Sequence, residues 1–164
     1  MSEKLRAAAT AVLEACRARG LKVATAESCT GGLVAGALTD IAGSSDVLDR
    51  GFVTYSNEAK QQMLGVPAGT LQEHGAVSRQ TAEAMARGAL DHAKADIVVA
   101  ITGIAGPGGG SADKPVGLVH FAAASRGGAL THAEKRYGDI GRAEVRHKSV
   151  LQALMMLKEM AEKR

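Results

Sequence analysis

The sequence predicts an α/β fold, a three-layer α/β/α sandwich around a mixed, mostly parallel five-stranded sheet. Three observations point there. Short apolar or β-branched runs alternate with segments of helical period along most of the chain, and strands separated by helices run parallel. The run DIVVAI at residues 96–101 is almost continuously apolar, as in a central strand covered on both faces. Near the end, two strand-like runs flank Ser125-Arg126-Gly127-Gly128, where two glycines tolerate positive φ and suit a hairpin, so one pair should be antiparallel.

Taken in order, residues 3–19 place Leu5, Ala8, Ala9, Val12, Leu13 and Cys16 at helical spacing, and Gly20 stops the helix. Residues 21–26 read as a strand that ends in the polar AESCT and turns sharply into a small-residue helix over 31–38. RGFVTY (50–55) reads as a second strand, followed by a short helix over 56–64 with Ser56 or Asn57 as its cap and Pro67 closing it. Ser78 opens a central helix over 78–93, with Ala82, Met85, Ala86, Ala89 and Leu90 on one face. After the strand at 96–101 comes the loop TGIAGPGGGS, then strands at 116–124 and 129–137. A last helix over 142–162 carries an apolar stripe, within which Met155, Met156 and Met160 read as core filler.

A length of 164 residues suits one domain over 1–164, large enough to bury a core. Hydrophobic residues make up 46% and charged residues 23%, which excludes disorder and collagen-like repeats. No apolar run is long enough to cross a membrane, and the charged start MSEKLRAAAT does not read as a signal peptide. Cys16 and Cys29 are too few for a disulfide framework, and the expected compartment is the cytoplasm. The charge of +3 comes from 20 basic and 17 acidic residues spread along the chain. With only four aromatic rings (Phe52, Tyr55, Phe121, Tyr137), a nucleic-acid partner is not expected.

In such folds ligands bind beyond the carboxyl ends of the strands, and here those ends are AESCTGG, TYSNEAK and TGIAGPGGG. AESCTGG (26–32) sets a hydroxyl and a thiol at a strand-to-helix turn, where free N–H groups suit an anion or oxyanion; equally, Ser28 or Thr30 serves as a plain helix cap. A helix start lowers a thiol pKa, yet Cys29 reads as a small buried residue. TYSNEAK (54–60) puts a phenol beside a lysine. That lysine is either a solvated surface cation or, if burial lowers its pKa, a general base. TGIAGPGGGS (102–111) matches neither a Walker loop nor GxGxxG, leaving a nest of backbone N–H groups or a flexible linker. The five histidines show no ligand spacing, so no metal is expected.

Together, AESCTGGLVAGALTDIAGSSDVLDRGFVTYSNEAKQQMLGV, EHGAVS and ITGIAGPGGGSADKPVGLVHF resemble the CinA C-terminal domain family over residues 22–154. The resemblance implies a five-stranded mixed sheet, a homo-oligomer, no cofactor and a stand-alone domain. It also implies deamidation of nicotinamide mononucleotide to nicotinic acid mononucleotide and ammonia. By motif, Ser28 corresponds to the nucleophile, Lys60 to its base and Tyr55 to an assisting hydroxyl. Thr30, Gly31, Thr102, Gly103 and Gly106 fall in the substrate-binding loops, and Arg142 and Arg146 match a basic R-x-x-V-R that would grip the 5′-phosphate. This chain departs from the family pattern by inserting Ile140-Gly141 between Gly138-Asp139 and Arg142. Amide cleavage needs a nucleophile, a base that later protonates ammonia, and donors for an oxyanion, and these residue types supply them. The alternatives are a non-catalytic nucleotide or anion-binding module with a regulatory role, and an amidase for another small amide.

Overall fold

Ser2 begins the first helix by accepting the Leu5 N–H at 3.2 Å, and Gly20 ends it in the left-handed conformation, φ 65°. The structure is a computed structural model that describes residues 1–163. The helices are α1 (Glu3–Arg19), α2 (Leu33–Thr39), α3 (Asn57–Leu64), α4 (Ala68–His74), α5 (Arg79–Asp91) and α6 (Arg142–Glu162). The strands are β1 (Val23–Glu27), β2 (Leu48–Val53), β3 (Ile97–Gly103), β4 (Leu118–Ser125) and β5 (Leu130–Arg136). A 3-10 turn at Ser44–Asp46 leads into β2. Ser56 and Ser78 cap α3 and α5 through the N–H groups of Ala59 and Thr81, at 3.0 and 3.1 Å. Among the described residues, no helix is long and apolar enough to cross a membrane.

The strands lie in the order β2-β1-β3-β4-β5. β1 runs parallel to β2 and β3, whereas β3–β4 and β4–β5 are antiparallel. The sheet is therefore evenly mixed, which corrects the mostly parallel expectation. The reason lies in the connection after β3. A parallel neighbour needs a crossover, usually a helix. The glycine-rich loop instead doubles back on itself, with Ile104 N–H donating to Leu118 O at 2.9 Å and Gly117 N–H to Ile104 O at 2.8 Å. A second correction concerns Pro67. Gly65, at φ 67°, ends α3, and Pro67 opens α4, a helix whose one buried side chain, Leu71, gave no periodic signal.

Alternate residues of β3 serve the two faces of the sheet. Ile97, Val99 and Ile101 pack with Leu13, Phe121 and Leu157 on the side of α1, α2 and α6. Val98 and Ala100 face Leu64, Met85 and Ala86 on the side of α3, α4 and α5. That second face is paved with alanines, including Ala24, Ala26, Ala122 and Ala124, which allows α5 to lie close to the sheet. α5 also lies close to α3, because a Cβ on Gly88 would stand only 1.9 Å from the Leu64 carbonyl oxygen. This contact fixes α3, and with it Lys60, against the end of the sheet.

Candidate active site

Three neighbouring strand ends, those of β2, β1 and β3, bring together the loops that begin at Thr54, Ser28 and Thr102. Ser28 follows β1 directly, and its N–H donates to Ile101 O of β3 at 2.9 Å. Lys60 lies one turn into α3 and reaches back under the β2 end. Its Nζ stands 3.1 Å from Ser28 Oγ, 2.9 Å from Thr54 O and 3.3 Å from Tyr55 O. Lys60 is only 1% exposed, and no carboxylate pairs with it among the described residues. Burial lowers its pKa from the ordinary value of 10.5, since the charged form loses its hydration and gains no counter-ion.

A neutral lysine amine has two hydrogens and one lone pair. In that neutral form the two backbone carbonyls can take the hydrogens and the lone pair can accept from the Ser28 hydroxyl, whereas the charged form donates to Ser28 Oγ. Ser28 is 7% exposed, open only toward a cleft of about 170 Å³ lined by Ser28, Lys60, Tyr55, Thr102, Gly103 and Arg142, among others. Cys29 also borders this cleft, but burial pushes its thiol up to about 12, so it stays protonated and inert.

Of the remaining site residues inferred from sequence, Tyr55 is 60% exposed and sits at the rim, its hydroxyl accepting from Arg142 Nη2 at 2.8 Å. Arg142 Nη1 also donates to Gly106 O at 2.8 Å, so its guanidinium bridges two loops across the cleft mouth. The Thr102 hydroxyl donates to Ala76 O at 2.8 Å and pins the segment before α5 to the cleft wall. Gly103 and Gly106 are required by close packing, because a Cβ would meet Val119 at 2.7 Å and Val116 at 2.6 Å. The loop that follows is tied down at both ends, unlike a flexible linker.

Thr30, Gly31 and Arg146 lie apart from the cleft lining. The Thr30 hydroxyl is buried and donates to Glu27 Oε1 at 2.6 Å. Gly31 turns at φ 57° against the Arg146 guanidinium. Arg146 itself donates to Cys29 O at 3.1 Å and Thr30 O at 3.4 Å. Neither Ser28 nor Thr30 caps α2, whose N-cap is Gly32.

Sequence reasoning passed over Glu27. This fully buried carboxylate accepts the N–H groups of Gly32, Val34 and Ala35 at 3.2, 2.9 and 3.0 Å, and the hydroxyls of Thr25 and Thr30. It saturates the start of α2, so the helix-start anion site expected from sequence is already taken by the protein's own charge. The available signal was an acidic residue at a strand end before a helix that lacks a capping side chain.

Comparison with known proteins identifies the family. The family model of the CinA C-terminal domain matches residues 5–161. The chain is 57% identical over 145 residues to the nicotinamide-nucleotide amidohydrolase PncC of Escherichia coli (strain K12), covering 88% of this chain and 87% of that protein. It is 54% identical over 130 residues to the CinA-like protein of Geobacter sulfurreducens, covering 79% of this chain and 32% of that longer one. Among solved structures, the competence/damage inducible protein CihA from Agrobacterium tumefaciens superposes with a TM-score of 0.96 at 57% identity, covering 100% of this chain and 98% of that one. A match of this extent, in sequence and in structure, shows that the chain belongs to the CinA C-terminal domain family.

Proposed function

We propose that this chain hydrolyses the carboxamide of nicotinamide mononucleotide to nicotinic acid mononucleotide and ammonia, with Ser28 as nucleophile, Lys60 as base and no metal. The observation that carries the reading is the amine–hydroxyl pair: a buried lysine whose Nζ lies 3.1 Å from the Ser28 oxygen and 2.9 and 3.3 Å from two backbone carbonyls. The relatives named as nicotinamide-nucleotide amidohydrolases support the substrate class.

In this mechanism Ser28 Oγ attacks the carboxamide carbon while its proton passes to Lys60 Nζ. The negative charge on the former carbonyl oxygen is met by backbone N–H donors. The tetrahedral intermediate collapses, the C–N bond breaks, and Lys60 returns the proton to the departing ammonia. Water then attacks the Ser28 ester, again giving its proton to Lys60, and Ser28 recovers it as the acid leaves. A cleft of about 170 Å³ suits the carboxamide and pyridine ring, leaving the ribose phosphate toward the mouth, where the Arg142 guanidinium is placed to receive it. Tyr55 and the Gly106 carbonyl steady Arg142 there, and Thr102 and Gly103 shape the wall. This reading puts the protein in the cytoplasm, with no nucleic-acid or membrane partner. We also propose a homo-oligomer, since Leu33, Val53 and Ile140 are each more than two-fifths exposed. Size-exclusion chromatography with light scattering tests that statement.

The decisive experiment is ammonia release from nicotinamide mononucleotide by the wild type and Ser28→Ala, with chelator present and free nicotinamide as control. The expected result is robust release by the wild type and at least about a hundredfold lower kcat in the variant. Saturable nucleotide binding by folded wild type without product would instead assign a binding module.

A further inference from the structure

The Ser28 loop is held from two sides by side chains that do not line the cleft. From one side Arg146, on α6, donates to the carbonyls of Cys29 and Thr30. From the other, the Glu27 carboxylate takes the Thr30 hydroxyl and the N–H groups of Gly32, Val34 and Ala35. In a planar trans peptide the C=O and the following N–H point in opposite directions. Because Cys29 O is turned to Arg146, the Thr30 N–H is turned away from it. The Gly31 N–H, paired with the Thr30 carbonyl in the same way, closes a tight turn onto Ser28 O at 3.0 Å. Among the described residues, the N–H groups of Cys29 and Thr30 make no hydrogen bond to another residue, whereas every N–H from Gly31 to Gly36 is engaged.

We propose that Glu27 and Arg146 are positioning residues, a charged clamp that orients the Ser28–Gly31 turn and leaves the N–H of Cys29, which borders the cleft, as the oxyanion donor. The inference rests on the amidohydrolase reading and assigns Arg146 a role other than phosphate binding. Its guanidinium is spent on the nucleophile loop, whereas Arg142 faces the cleft. Glu27 acts by saturating the start of α2, so that any developing negative charge is met at the turn and not at the helix. The clamp works on the transition state, where the oxyanion forms, and leaves ground-state nucleotide binding largely untouched.

The test measures steady-state kinetics with nicotinamide mononucleotide on Arg146→Lys and Glu27→Gln, after thermal melts confirm that each is folded, with Arg142→Ala for contrast. Arg146→Lys keeps the charge but loses the fork that spans two carbonyls. Glu27→Gln keeps the shape but presents an amide donor to one of the donors it must accept. Each is expected to lower kcat by about tenfold or more with KM within about threefold, whereas Arg142→Ala mainly raises KM. A raised KM at normal kcat in Arg146→Lys would make Arg146 a phosphate ligand and overturn the clamp, as would unchanged kinetics in both variants. The rate at which phenylmethylsulfonyl fluoride modifies Ser28, read by mass spectrometry, supplies a readout independent of the natural substrate. It should fall in the same variants, and a wild-type rate counts against the proposal. A wild type that labels at Ser28 but releases no ammonia would sink the amidohydrolase reading and leave the labelling arm to decide the clamp.

Discussion

A lysine amine buried without a counter-ion opposes folding whenever it must carry a proton. The Lys60 pKa is lowered in the folded state, so between that value and 10.5 the unfolded chain binds more protons and stability rises with pH. Lys60→Met is expected to abolish turnover yet melt higher than wild type at pH 7 by a few degrees, since about 1 kcal/mol moves the midpoint of such a domain by about 3 °C. A lower melting temperature would mean that Lys60 contributes to the fold in its own right. The same titration predicts a kcat/KM that climbs with pH along a limb centred below 10.5. Cys29→Ala should keep kcat within a few-fold, because the thiol, held up at about 12, supplies no nucleophile. Ser28, Tyr55 and Lys60 were legible in the sequence as motif residues on loops expected to converge, but the contact between Lys60 and Ser28 was not. The serine and lysine lie 32 positions apart, and only the docking of α3 brings them to 3.1 Å. Glu27 was passed over for a related reason: its partners lie on the following turn and helix, and its one signal, an acidic residue before a helix without a capping side chain, is weak.

Among the elements, α3 matters out of proportion to its eight residues, because it delivers Lys60, the proposed base. Its position depends on Gly88 of α5, where any side chain would strike the backbone at Leu64. Gly88→Ala should lower stability by about 1–3 kcal/mol as the two helices are forced apart, and lower kcat with it. Chemical denaturation and turnover on the same preparation check this, and an unchanged kcat would show that Lys60 does not depend on this contact. Long periodic helices such as α1, α5 and α6 were readable from sequence to within about two residues at each end, since each buries a regular apolar stripe. α4 was not, having one buried side chain in seven residues. The direction of β4 was not readable either, because a glycine-rich loop records neither a crossover nor a reversal in its composition.

On the scale of the whole molecule, a partly buried histidine pair away from the cleft couples stability to pH. His120 Nδ1 and His132 Nε2 face each other at 2.9 Å across β4 and β5, with Glu134 and Arg136 beside them and Lys114, Arg79 and Glu83 around them. Burial lowers both histidine pKa values from 6.5, so below that pH the unfolded chain binds more protons and stability falls as pH falls. Urea midpoints should drop from pH 7.5 to 5, and by less in a His120→Phe/His132→Phe pair; an equal drop would place the acid sensitivity elsewhere. The evenly mixed sheet has a further consequence. The parallel trio β2-β1-β3 carries the proposed catalytic side chains, whereas the turn between β4 and β5 lies at the opposite end of its strands and is tied by Arg126 to the carbonyls of Leu90, Ala93 and Ala95. Fold and chemistry are thus written in separable halves. The Gly127–Gly128 tip becomes a natural port for a fluorophore or an inserted domain.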